Sequence, residues 1–302
     1  MTEQRFDNVD VDTIAFIDEK TIDWAAASEV TYLVYQHIRY EYPGPIANLR
    51  QRLMIAPRDA HGGQRRIAER LDVFPQMPAE AHVDAFGNSV TTLSVPVLEY
   101  GIDFTYWASV EREAWVREHR EPRAVLEMAS LRSSSLLTRP SANLREVAEH
   151  LQARHRDPLE LAHGINHFVF EHMEYGFGAT DVHTPAAAAF ELGKGVCQDY
   201  AHVMIALARH CGLATRYVSG HLLGEGGTHA WVEILLPDGD DARVYAFDPT
   251  HDRLVTMKYI VVAVGRDYAD VAPTSGVFTA PYSGELSVRK RVGVSDVRYA
   301  AS

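Results

Sequence analysis

The apolar residues change their period part-way along the chain, and that change limits the folds available to it. Between about residues 29 and 113, β-branched and aromatic residues gather in short runs: Thr31 to Ile38, Leu53 to Ile55, Ile67 to Phe74, Val90 to Val97 and Ile102 to Val110. These residue types suit a pleated, half-buried surface. Breakers separate the runs, among them Pro43-Gly44-Pro45, Pro57, Gly62-Gly63, Pro75 with Pro78, and Asp84 to Asn88 with its Gly87-Asn88 turn signal. Five or more short strands without a helical period predict an antiparallel β-sandwich-like domain.

From 141 to 211 the spacing is helical. Ser141 is placed to cap a helix through Leu144, Val147, Ala148 and Leu151. Asp157-Pro158 supplies a cap and a first helical residue for a second helix, with Leu161, Ile165, Phe168 and Val169 on one face. A third starts near Cys197 and stops at Gly212. Strand patterns then return at Ala214–Ser219, His229–Leu236 and Val244–Phe247, with Pro237-Asp238-Gly239 as a turn, and a β-branched run follows at Val261 to Val264. The division predicts a lead-in over 1–28, a β-rich domain over 29–120 and an α+β domain with a C-terminal extension over 121–302. Pro122 and Arg132-Ser133-Ser134-Ser135 read as the connection, between about 113 and 135.

Composition narrows the partners. With 302 residues, 46% of them hydrophobic, the chain can fill two cores. A net charge of −12 weighs against nucleic acid or an anionic membrane surface as partner. Arg65-Arg66 and Arg289-Lys290-Arg291 are the local exceptions. No apolar run approaches 18 residues, and the acidic first twenty residues lack the basic start and apolar stretch of a signal peptide. Two cysteines make no disulfide framework, so a cytoplasmic protein with reduced thiols is expected.

Three residues then carry chemistry. Cys197 follows Gly193-Lys194-Gly195-Val196 and opens the third helix. Free N–H groups and a partial positive charge at a helix start favour a thiolate, which is the nucleophile, and the same N–H groups can hold an oxyanion. The bland alternative is a buried thiol acting as a small hydrophobe. Cys211 fits that description, since it ends a stripe with Ala201, Met204 and Ala208. Fourteen helical residues also hold the two sulfurs roughly 21 Å apart along the axis, too far to pair. His229 opens a strand after the loop Gly224-Glu225-Gly226-Gly227, which reads as a flexible cleft edge. At a strand mouth it can reach a helix start and exchange a proton with the thiol and a leaving amine. Asp248 ends the next strand, and a hairpin sets it beside His229, where it would accept the second imidazole N–H.

The segments Gly195-Val196-Cys197-Gln198-Asp199-Tyr200-Ala201-His202, Gly212 to Gly220, His229-Ala230-Trp231-Val232-Glu233 and Phe247-Asp248-Pro249-Thr250 resemble the transglutaminase-like superfamily of papain-like cysteine enzymes in order and spacing. Upstream, Tyr42-Pro43, Leu53 to Arg58 and Asp84 to Asn88 resemble the β-rich N-terminal domain of its bacterial members. The resemblance implies an α+β core, a nucleophile helix packed on an antiparallel sheet. It also implies amide chemistry through a Cys thioester: hydrolysis as a protease or amidase, or acyl transfer, on peptide, isopeptide or glutamine amides. It assigns Cys197 as nucleophile, His229 as general base and acid, and Asp248 as orienting carboxylate, with a peptide or protein substrate. No cofactor or metal site is read from the residues themselves, and no calcium-loop pattern of spaced carboxylates occurs. Tyr175 and Gln198 are candidate oxyanion donors. The alternative is a non-catalytic module holding peptides in the same cleft. His163 and His167 lack a third metal ligand, and His251 and Asp252, which follow Asp248 and could line the cleft, read first as solvated loop residues. Nothing in the sequence specifies an oligomeric state.

Overall fold

The computed structural model describes residues 14–114 and 119–300. Residues 1–13 of the expected lead-in lie outside the described residues. Two antiparallel sheets form the β-rich part. In the first, β1 (Ala27–Glu41) lies between β7 (Gly101–Glu113) and β17 (Glu285–Tyr299). That sheet continues from β7 to β4 (Gln64–Phe74) and the short β3 (Ala60–His61). The second runs β16 (Thr274–Thr279), β2 (Ile46–Leu53), β6 (Ser89–Leu98) and β5 (Glu80–Val83). Alternate side chains of β1 and β2 (Val30, Tyr32, Val34, Leu49 and Leu53) share one buried cluster with Phe104 of β7, as the two inner faces of a sandwich should.

One feature departs from the expected division at residue 121. The closing strands do not extend the α+β part: β17 pairs with β1 from Ala27↔Tyr299 to Glu41↔Glu285, and β16 pairs with β2. Their partners are more than 200 residues away in sequence, and local periodicity carries no information about such pairing. Arg65 and Arg66 are also not a free basic stripe, because they pair with Glu111 and with Asp59 and Glu69.

The α+β part is built on a third antiparallel sheet. Its order is β14 (Arg253–Leu254), β13 (Asp241–Asp248), β12 (His229–Asp238), β11 (Ala214–Leu222), β15 (Tyr259–Gly265), with β8 (His119–Pro122) also pairing with β13. Four helices cover one face: α1 (Ala142–Arg154), α2 (Pro158–His172), α3 (Ala186–Leu192) and α4 (Cys197–His210). A short α5 (Tyr268–Val271) follows β15. The caps are those the sequence specifies: Ser141 accepts from Leu144 N, and Asp157 from Leu159 N and Glu160 N. α3 is an extra helix, stopped by Gly193 in the left-handed conformation. α4 is the centre of the packing. Every residue from Gln198 to Arg209 is buried, so it is enclosed on all sides rather than amphipathic. Ala230, Val232, Ile234 and Phe247 of the sheet pack against it in the same cluster.

The sheet's other face and its β15 edge meet the sandwich. Gln64 donates to Val261 O and accepts from Val261 N, each at 2.8 Å. Asn88 does the same for Val264, at 2.7 and 2.8 Å. Two side-chain amides thus stand in for a neighbouring strand and leave no bare edge there. Arg112 of β7 donates to Tyr259 O, and Tyr32 donates to Met257 O at 2.5 Å. The sandwich therefore fixes β15, whose first residue, Tyr259, reaches the site described next.

Candidate active site

The short parallel pair β9 (Glu174–Tyr175) and β10 (Lys194–Gly195) sets the chain entering α4 beside Tyr175. Asp199 closes the helix start by accepting from Val196 N at 2.8 Å and from Thr180 Oγ1 at 2.7 Å. A Cβ on Gly195 would stand 2.5 Å from that carboxylate, so the turn into α4 needs glycine. These contacts bring Cys197 to the first helical position, where the leading N–H groups have no acceptor inside the helix. Cys197 lines a cleft of about 370 Å³ with Tyr175, Phe177, Val182, Glu225 and His229.

His229 is buried at the start of β12. Its Nε2 lies 2.8 Å from Oδ2 of Asp248, and its Nδ1 lies 3.2 Å from Oε2 of Glu225. Burial opposes the imidazolium, but the Asp248 hydrogen bond, followed by the Cys197 and Glu225 side chains, outweighs it and pushes the pKa up to about 11. Asp248 is wholly buried. Its Oδ2 also accepts from His251 Nδ1 at 2.7 Å and Tyr259 OH at 2.6 Å, and its Oδ1 accepts from Thr250 N at 3.0 Å. Burial again disfavours the charge, yet hydrogen bonds from His229, His251 and Tyr259 hold this carboxyl well below the usual range. The arrangement is a thiol at a helix start, an imidazole fixed through Nε2, and a carboxylate saturated with donors.

Residues 145–249 match the family model of the transglutaminase-like superfamily, and residues 32–111 match that of the bacterial transglutaminase-like N-terminal region. The chain belongs to the transglutaminase-like superfamily. An uncharacterized protein of Mycobacterium leprae is 28% identical over 271 residues, covering 82% of this chain and 93% of that one. One from Mycobacterium tuberculosis is 28% identical over 276 residues, with 82% and 87% covered. The crystal structure of a "Putative Cysteine Protease" from Cytophaga hutchinsonii aligns with a TM-score of 0.74 at 20% identity, covering 91% of this chain and 93% of that one, and shows a shared fold.

In this superfamily member the structure brings together all three residues singled out in sequence, and adds three more. His251, read as a loop residue, is a second imidazole on Asp248; Tyr259 is its hydroxyl donor; Glu225 bridges the two imidazoles, with Oε1 3.1 Å from His251 Nε2. His251 lies three residues after Asp248, a weak local signal, whereas Tyr259 and Glu225 depend on sheet register and loop geometry. Tyr175 faces the cleft: burial, then the nearby Cys197 and Glu225 charges, raises its phenol pKa. Gln198 instead donates to Val182 O at 3.3 Å. Cys211 packs against the core and donates to Ala148 O, with burial pushing its thiol up to about 11.

Two groups of side chains have metal-ligand spacing, His229 with Asp248 and His251, and His61 with His119 and Glu121. In the first, the Asp248 oxygen is shared among three donors. In the second, Arg216 occupies both Glu121 oxygens, at 2.5 and 3.2 Å, and its charge opposes a cation. His163 packs edge-on to Phe247, and His167 pairs with Asp252.

Proposed function

We propose that this protein is a cysteine-dependent amide hydrolase or acyltransferase acting on peptide, isopeptide or glutamine amides, with hydrolysis as the main reaction. The observation that carries the reading is the directional order of three side chains. Nε2 of His229 is committed to buried Asp248, and Nδ1 faces the cleft, where the Cys197 and Glu225 side chains are its partners. The Cys197 thiolate, its proton already on Nδ1, bonds the amide carbonyl carbon. The carbonyl oxygen takes the negative charge and meets the N–H groups at the start of α4 and the Tyr175 hydroxyl. The C–N bond then breaks, the leaving nitrogen takes the Nδ1 proton, and a thioester remains. Water, or an amine, loses a proton to Nδ1 as it attacks the thioester carbon, and the thiol is regenerated. Asp248 holds the ring and stabilises the imidazolium at each stage without itself taking the proton.

The test pairs reactivity with turnover. Iodoacetamide labelling at neutral pH, followed by peptide mass spectrometry, should modify Cys197 much faster than Cys211, and His229→Ala should abolish that advantage. Peptide-library hydrolysis, with and without added amines, should be lost in Cys197→Ala. Equal labelling of the two cysteines in wild type, or turnover that survives Cys197→Ala, would overturn the reading.

A further inference from the structure

The loop joining β11 to β12 carries one charged side chain, Glu225, flanked by glycines. Gly224 (φ 89°) and Gly226 (φ 68°) hold left-handed backbone conformations that glycine adopts without strain. This turn aims the carboxylate into the cleft, 3.2 Å from His229 Nδ1 and 3.1 Å from His251 Nε2. Its side chain keeps 38% of its surface exposed. Among the described residues its ion-pair partners are these two imidazoles, with no Lys or Arg. Tyr175, Phe177 and Val182 line the same cleft and bear no formal charge. Glu225 is thus the acidic side chain of a lining that is largely aromatic and apolar.

The place of this carboxylate in the reaction is chemically defined by its contact with His229. Since Nε2 of His229 is held by Asp248, proton transfer runs through Nδ1. Any nitrogen that leaves from, or attacks, the carbonyl carbon must come within hydrogen-bond reach of Nδ1. It then lies within a few ångströms of Glu225. We propose that Glu225 is a specificity-determining residue that selects a positively charged group on the leaving or accepting amine segment, such as a lysyl or arginyl residue or the distal ammonium of a diamine. The reacting nitrogen itself stays neutral, and the cation is carried elsewhere on the same segment. This inference rests on the Cys197–His229 reading above.

The experiment needs no identified substrate. The full chain is treated with two methanethiosulfonates of similar size, one bearing a trimethylammonium and one a sulfonate, and with neutral iodoacetamide as reference. Modification of Cys197 is followed by peptide mass spectrometry in wild type, Glu225→Gln and Glu225→Asp. A unit charge lining the same cleft as the sulfur, at a half-exposed site, predicts a cation-to-anion rate ratio at least about fivefold higher in wild type than in Glu225→Gln. Glu225→Asp should keep most of that preference. A merely structural role for Glu225 would change all three reagents alike and leave the ratio unmoved. An unchanged ratio, with His229-dependent iodoacetamide labelling intact, overturns the inference and leaves the nucleophile assignment standing. Failure of iodoacetamide to label Cys197 in wild type overturns both.

Discussion

Replacing Asp248 by Asn tests the electrostatics of the site most directly. Burial alone would lower the pKa of His229, yet the structure lifts it from an ordinary 6.5 to about 11. Asp248 contributes to that rise both as the strongest hydrogen-bond partner and as a nearby charge, with Cys197 and Glu225 supplying the remainder. An amide at 248 keeps the shape but removes the charge, and it turns an NH2 toward donors from His229, His251 and Tyr259. The imidazolium loses its first-ranked support, and a fall of about two pKa units or more is expected, equivalent to about 3 kcal/mol. The assay is an NMR titration of histidine ring signals in selectively labelled protein. Wild-type His229 should remain imidazolium at pH 9, and in Asp248→Asn about half of it or more should be neutral there. A wild-type midpoint near 6.5, or an Asp248→Asn profile that superimposes on wild type, would refute the account of how this imidazole is held.

Three further outcomes follow from the same contacts. The raised His229 pKa favours the folded state fully below the unfolded value of about 6.5, and that contribution drains away as pH rises toward the folded value. The depressed Asp248 pKa favours folding above about 3.9 and is lost as pH falls below it. Thermal unfolding scanned by pH should therefore give its highest midpoint between about pH 4 and 6.5, with a flatter alkaline slope in Asp248→Asn. Asn88→Ala, which strands the buried N–H and C=O of Val264, should cost about 2–5 kcal/mol in chemical denaturation; a loss under 1 kcal/mol would mean that water replaces the amide. Tyr175→Phe should lower kcat about 10- to 100-fold with little change in KM if the phenol meets the oxyanion, and should leave both unchanged if it merely walls the cleft.

Much of this arrangement is legible in the sequence because the signals are local. Asp157-Pro158 and Ser141 name helix starts through side chains that bond the next few N–H groups, and the structure uses both. Cys197, His229 and Asp248 each sit at the end of an element whose pattern is plain, so the three motifs could be read in order. The remainder depends on contacts between distant segments. Asn88 reads as a turn residue, yet its amide closes the edge of a sheet 176 residues onward. Tyr259 precedes a β-branched run that says strand and nothing more; its role appears once β15 lies beside β11 and the hydroxyl is turned to Asp248. Glu225 sits in a glycine-rich loop whose sequence gives mobility but not aim.

The return of β16 and β17 to the first two sheets bears on how the protein can be made. During synthesis β1 emerges more than 200 residues before β17, the strand that covers its outer side. Until then β1 presents a long row of unpaired backbone groups at the sheet edge while the α+β part is being made. Folding is governed by contacts of very large sequence separation and should be slow for a chain of this length. The two parts are therefore poor candidates for separate expression. A fragment ending near residue 113 would lose an edge strand from each of its sheets, and one beginning near 121 would carry two orphan strands that seek partners in other copies.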